Sequence, residues 1–429
     1  MLNTPLQIVL ALSTLCITSD CLILVSMAPM SSSPDGPSPH GLLARWPTIA
    51  ADAASFVDQL RDGFAVRCSP QADHPTAIGS ATAVLLLGFL GRLSMLPRTF
   101  QTAWAQYLAS YIDKDGLVVD EVDTIEPVQI QPLWALRAHR TRHVLWAIET
   151  LAPHLVPRSI PWVRSLLKTP RSIEDWLDQQ YPHFHEAGFW AAGNWLMDVG
   201  MLLDMEHRYG QNSDAEAAQE RLLEWLTRRI DPATGFWFGR HDDQRAAMAG
   251  AMHLYPLYWN RSQEVPYFRQ AVQHTLSLQQ PDGLFAYDSG TGGEQCLDFD
   301  AVFILINGYA VFDDLRPTIR QSCQRMLDAI VVNELPSGGW SDSRKNQIRY
   351  WATRACSYRS DGGSLWDTYA RLMTVAMGLY VTTGEIPSGV QTERHLFEIW
   401  FARCPSKRAV RSQATPESAA PRMRFETTS

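Results

Sequence analysis

Several common features are scarce in this sequence, and each scarcity excludes something. Only seven cysteines occur in 429 residues, at positions 16, 21, 68, 296, 323, 356 and 404. None forms a C-x-x-C pair, and no Cys/His set has zinc-finger spacing, so a disulfide-framed fold is not expected. Long Lys/Arg runs are missing and the formal net charge is −8, which argues against a nucleic-acid partner. The most basic stretch, Arg137 to Arg142, is short and interleaved with apolar residues. It reads as a solvated or carboxylate-paired helix face. No apolar run reaches transmembrane length. Leu6 to Ile17 is a short apolar leader with no Lys or Arg before it, and the first basic residue is Arg45. Together with the scattered cysteines this favours a cytoplasmic chain over a secreted one. Alternating strand-like runs are also scarce.

What the chain has in quantity is apolar and aromatic material, with fifteen Trp and 46% hydrophobic residues. That is ample for one large core. Residues 27–41 are rich in Ser, Pro and Gly and read as a linker. The expected organisation is a disordered or weakly signal-like leader with linker over 1–42, one domain over 43–403, and a disordered polar tail over 404–429. Within the domain, helical spacing dominates, as in Leu222, Leu223, Trp225, Leu226 and Ile230.

One kind of loop returns between the helical stretches. It reads Asp-Gly-Leu-Val at 115–118, Ala-Gly-Phe-Trp at 187–190, Thr-Gly-Phe-Trp at 234–237, Asp-Gly-Leu-Phe at 282–285 and Ser-Gly-Gly-Trp at 337–340. The glycines at 116, 188, 235, 283 and 338 are 72, 47, 48 and 55 residues apart. A sustained period near fifty marks a repeat architecture. In each unit a helix ends, Gly takes the left-handed conformation that closes it, a large apolar residue plugs the gap, and a second helix begins. Such a hairpin cannot bury its apolar face alone, so the units stack.

This loop, most clearly Gln279-Gln280-Pro281-Asp282-Gly283-Leu284-Phe285, resembles the terpenoid cyclase and protein prenyltransferase superfamily over roughly residues 100–380. The resemblance implies an all-α fold, an α/α toroid with an inner ring of helices inside an outer one. Polysaccharide lyases and glycosidases use similar double rings, so the fold alone leaves the chemistry open.

In such a ring the residues after each loop lead into inner helices that open on a central cavity. Asp298-Phe299-Asp300 resembles the Asp-x-Asp-Asp motif of class II terpene cyclases, with Ala301 in place of its last Asp. The resemblance implies that Asp300 is the general acid and Asp298 its partner. Two close carboxylates in an apolar cavity cannot both ionise easily, so one keeps a proton. The alternative is structural, with Asp298 as an N-cap and Asp300 beside the helix dipole. Asp198, Asn194, Asp367, Trp195, Trp366 and His185 are the candidate substrate contacts. Most of the Trp residues at 190, 195, 237, 340 and 366 read as loop plugs or core. Tyr181, His183, His185 and Asn194 resemble instead the acid–base equipment of toroidal lyases. Neither Cys296 and Asp298 nor the i, i+4 pair His139/His143 completes a metal site, and no cofactor is expected.

Three readings remain: an enzyme for acid-initiated cyclisation or isomerisation of a small hydrophobic, possibly terpenoid, substrate; a carbohydrate-active lyase or hydrolase; or a non-catalytic binding toroid. A closed apolar pocket around Asp298 and Asp300 favours the first. An open charged cleft with stacked Trp favours the second, and a solid centre the third.

Overall fold

The structure is a computed structural model that describes residues 38–120, 132–168, 172–237, 243–350 and 356–391. The expected leader, apart from residues 38–42, and the expected tail lie outside these. Among the described residues there are thirteen α-helices and two short antiparallel hairpins. The helices are α1 (Pro39–Leu60), α2 (Ala77–Phe89), α3 (Arg98–Ala109), α4 (Leu133–Leu151), α5 (Pro161–Ser165), α6 (Ser172–Ala187) and α7 (Phe189–Gly210). They continue as α8 (Ser213–Thr227), α9 (Gln244–Asn260), α10 (Phe268–Ser277), α11 (Gln295–Val311), α12 (Arg316–Ile330) and α13 (Leu365–Thr383). The hairpins pair β1 (Arg61–Asp62) with β2 (Ala65–Val66), and β3 (Ile348–Tyr350) with β4 (Ser357–Arg359).

Six helices close a ring by packing in sequence: α2 on α4, α4 on α7, α7 on α9, α9 on α11, α11 on α13, and α13 back on α2. Outside them, α3 packs on α4, α6 and α8 on α7, α10 on α11, and α12 and α1 on α13. The chain thus alternates outer and inner helices around an α/α toroid, as the loop spacing leads one to expect. Residue type explains the sorting. Every residue of α2 is buried, and a helix apolar all round has no solvent face to offer. On α12 the buried positions are Ile319, Ser322, Cys323, Met326, Leu327 and Ile330, the stripe of a helix with one wet face.

The five loop glycines all have left-handed φ, from 71° to 92°. Their place differs from the expected helix cap. Four of them lie past the helix end, in a tight turn. Gly283 N–H donates to Gln280 O, and Gln280 N–H to Leu284 O. A Cβ on Gly283 would stand 2.4 Å from Arg325 O on α12, so the glycine also admits the next outer helix. Gly338 packs in the same way on α1, near Asp52 O, and so closes the ring. Gly188 is the exception: it is the N-cap of α7, and open space surrounds its Cβ position.

The tightest inner contact joins α7 to α9. A Cβ on Gly193 would meet Gly250 O at 2.3 Å, so the two backbones touch. That contact brings the first half of α7 against the middle of α9, where site residues stand. No described helix is long and apolar enough to cross a membrane.

Candidate active site

A cavity lies where the six inner helices meet, and every one of them contributes to its wall. The lining is Leu85 from α2; His139, Arg142, His143 and Trp146 from α4; Asn194 and Met197 from α7; and Met252 and His253 from α9. Cys296, Phe299 and Asp300 from α11 and Trp366 and Tyr369 from α13 complete it. Its volume is about 30 Å³, room for roughly two or three waters. A larger guest requires the wall to yield. Met197 and Met252 are the adaptable part of it, being unbranched and polarizable.

Asp300 is 1% exposed, and its Oδ2 has no hydrogen-bond partner among the described residues. Burial raises its carboxyl well above the ordinary range, and the nearby Asp298 adds to the effect. Removing a carboxylate from water without a cation or donors to replace the water favours the neutral acid. Asp300 therefore faces the cavity as a carboxylic acid. Cys296, one turn earlier on α11, accepts the Trp366 indole N–H at 3.5 Å, and burial keeps it a neutral thiol.

The histidines are arranged the other way. His143 Nδ1 lies 2.9 Å from His139 O, and His253 Nδ1 lies 2.6 Å from Ala249 O. A carbonyl oxygen only accepts, so Nδ1 carries the hydrogen in each ring and Nε2 is the basic nitrogen. Burial holds His253 at about 3. His143 is pushed well below its ordinary value by burial, with help from Arg142 and His139. Both rings are neutral imidazoles.

Arg142 donates through Nε to Asp198 Oδ1, and its guanidinium stands 4.5 Å over the Trp146 ring. Asp198 is fully buried. Burial alone would raise its carboxyl, but Arg142 and His139 hold it below the usual range. Two arginines of the basic stretch on α4 are thus carboxylate-paired, Arg142 buried on Asp198 and the half-buried Arg137 on Asp113.

The other expected site residues divide. Asp300, Asn194 and Trp366 line the cavity. Asp198 stands behind it and acts on the wall through Arg142. Asp298 does not face the cavity: its Oδ1 accepts from Phe285 N–H at 2.7 Å, and its Oδ2 from Glu294 N–H at 3.2 Å and from Arg371 Nη1 at 2.6 Å. Burial raises Asp298, and the Arg371 guanidinium and the two backbone donors oppose the rise. It is not the N-cap of α11, which is Glu294. Asp367 accepts the Tyr358 hydroxyl at 3.0 Å on the side of β4. The four aspartates therefore do not share one wall.

Trp195 packs between the rings against Trp134 and Phe184. The His185 side chain lies outside the described residues. His183 is exposed on outer helix α6 and Tyr181 packs on Trp225, so neither joins Asn194 in the cavity. Trp237 and Trp340 are buried plugs. Among the described residues no group of three or more His, Cys, Asp or Glu is placed to hold a metal. Sequence reasoning did not single out Arg142, Trp146, Phe299 or Tyr369 as wall residues.

No family profile matches this chain, and no curated protein matches it by sequence. Among solved structures it is similar to the type II terpene cyclase MstE from Scytonema, in complex with merosterolic acid A. The TM-score is 0.48 at 14% identity, covering 80% of this chain and 99% of that one. It is similar to a glycosyl hydrolase family 88 protein from Bacteroides vulgatus, with TM-score 0.47, 11% identity, and coverage of 79% and 99%. A protein from Actinoplanes gives TM-score 0.41 at 14% identity, with coverage of 78% and 99%.

Proposed function

We propose that this chain is an enzyme that protonates a carbon–carbon double bond of a small hydrophobic substrate in its central cavity and so isomerises or cyclises it. The observation that carries the reading is Asp300, a buried neutral acid whose Oδ2 has no partner among the described residues and which sits in an aromatic wall. The Asp300 proton adds to one alkene carbon and leaves a cation on its neighbour. The rings of Phe299, Trp366 and Tyr369 stabilise that charge without competing as nucleophiles. A neutral imidazole, His143 or His253, then takes a proton from an adjacent carbon. One proton enters and one leaves, so the product is an isomer of the substrate.

A carbohydrate substrate is the second reading. It is favoured by Asn194, His143 and Tyr369 sharing the cavity. A two-carboxylate hydrolase mechanism lacks support, because Asp298 is held by Arg371 and Asp300 stands alone.

The test is metabolite profiling of a host expressing the wild type or Asp300→Asn, in lipid and polar extracts, followed by turnover in D₂O. The expected result is a new hydrophobic product, lost in the variant, with one deuterium on carbon. A product that survives Asp300→Asn, or carries no deuterium, rejects the acid role. A polar unsaturated-sugar product selects the second reading.

A further inference from the structure

A second buried cluster stands apart from the main core. It consists of Cys68, Ala72, Ile78, Cys356 and Tyr358, with Trp366 packed against it. The two cysteines are far apart in sequence, yet both are buried, at 1% and 0% exposure, in this one small cluster. Fold contacts hold each one. Cys68 O accepts the Leu365 N–H at 2.8 Å, at the start of α13. Cys356 Sγ lies 3.3 Å from the hydroxyl of Thr76, the N-cap of α2. The other described cysteines lack such a mate: Cys296 belongs to the central cavity and Cys323 to α12.

We propose that Cys68 and Cys356 are a redox modification site, which a small disulfide of the glutathione class converts to one intramolecular disulfide. The thiolate of one cysteine attacks the oxidant's S–S bond and expels a thiol. The second cysteine attacks the resulting mixed disulfide and expels the other thiol. Two protein S–H bonds and one oxidant S–S bond are exchanged for one protein S–S bond and two released thiols, so atoms and electrons balance.

The bridge staples the start of β4 to the starts of two neighbouring inner helices. It also fixes the back of Trp366, whose other side lines the cavity. Burial and the neighbouring thiol raise Cys68 well above its ordinary value. The folded dithiol therefore exchanges slowly.

The test uses the full chain in two ways: native protein incubated with oxidised glutathione, and chain synthesised in a cell-free system with and without it. Each is alkylated, digested without reduction and mapped by mass. The expected result is a Cys68–Cys356 cross-linked peptide at least in the second experiment, with a melting temperature above that of the reduced protein. Both effects should vanish in Cys68→Ser and in Cys356→Ser, and both should persist in Cys323→Ser. Alkylated free thiols at 68 and 356 after both treatments overturn the proposal. So does glutathione left on either cysteine, or a bridge from either to Cys296 or Cys323.

Discussion

Arg371 Nη1 stands 2.6 Å from Asp298 Oδ2, and both side chains are wholly inside the protein. The same guanidinium donates to Gly292 O at 3.0 Å and to Ser341 O at 3.3 Å. One ion pair thus ties the loop before α11 and the loop after β-turn Gly338 to inner helix α13. Two residues along the same helix, Asp300 has no such anchor. Neighbouring aspartates in one short motif therefore do separate jobs, one holding the wall and one facing the cavity.

That separation predicts opposite mutational costs. Asp298→Asn keeps the shape but leaves the Arg371 charge buried and unpaired, which costs roughly 3–5 kcal/mol. Asp300→Asn replaces a neutral acid by a neutral amide and should not destabilise the chain; near pH 5 it should gain roughly 1–2 kcal/mol, because only the wild type's unfolded state has shed a proton there. Urea midpoints of the two variants measure the difference. Equal midpoints would show that the ion pair is not what holds this end of the ring.

The stability of Asp300→Asn relative to the wild type should depend on pH. An unfolded Asp releases its proton near about 3.9, whereas burial keeps Asp300 protonated well above that in the folded chain. Stability from the neutral acid is complete below the unfolded value and is lost as pH climbs toward the folded one. The amide has no such loss. From about pH 4 upward the variant should therefore gain on the wild type by up to about 1.4 kcal/mol per pH unit. Denaturation curves at several pH values check this, and a constant difference would contradict it.

The loops were legible because turn chemistry is local: a small or short polar residue, then a Gly with positive φ, then a large apolar plug. Even so, sequence placed the glycine at the helix cap. The neighbour that demands it, Arg325 O against Gly283, is 42 residues away. Asp300 stood out through the resemblance of Asp298-Phe299-Asp300 to a cyclase motif, at the start of a long apolar run. Arg142, Trp146 and Tyr369 did not stand out, since inner helices are buried on every side and periodicity marks no cavity face. Asp198 and Asp298 looked like site residues because their partners, Arg142 and Arg371, are 56 and 73 residues away.

The loop geometry predicts a ranking of glycines. Gly188 and Gly283 both have left-handed φ, at 84° and 92°. Ala at 188 meets open space, so only the backbone term applies, roughly 1–3 kcal/mol because a ψ of 157° at this φ is a conformation that essentially only glycine adopts. Ala at 283 must also displace the main chain of α12, since its Cβ would stand 2.4 Å from Arg325 O. Gly283→Ala should be the costlier by about 1 kcal/mol or more. Thermal or urea unfolding of the two variants decides it, and a reversed order would refute the packing of the turn on α12.

The acid and the imidazoles should separate when each is removed. Burial moves Asp300 up and His143 and His253 down. This widens the pH range in which the acid holds its proton and the bases are free, so kcat/KM should be flat across neutral pH. Asp300→Asn removes the proton that starts the reaction, and substrate consumption should stop. His143→Gln leaves that proton in place but removes a ring that can end the reaction by accepting one. Substrate should then still be consumed, with the cation lost to water or to a different carbon, giving an alcohol or a shifted double bond. His253→Gln tests the other ring in the same way, and product analysis shows which imidazole is the base. If both variants release the wild-type product in unchanged proportion, proton removal belongs to neither ring, even if Asp300 remains the acid.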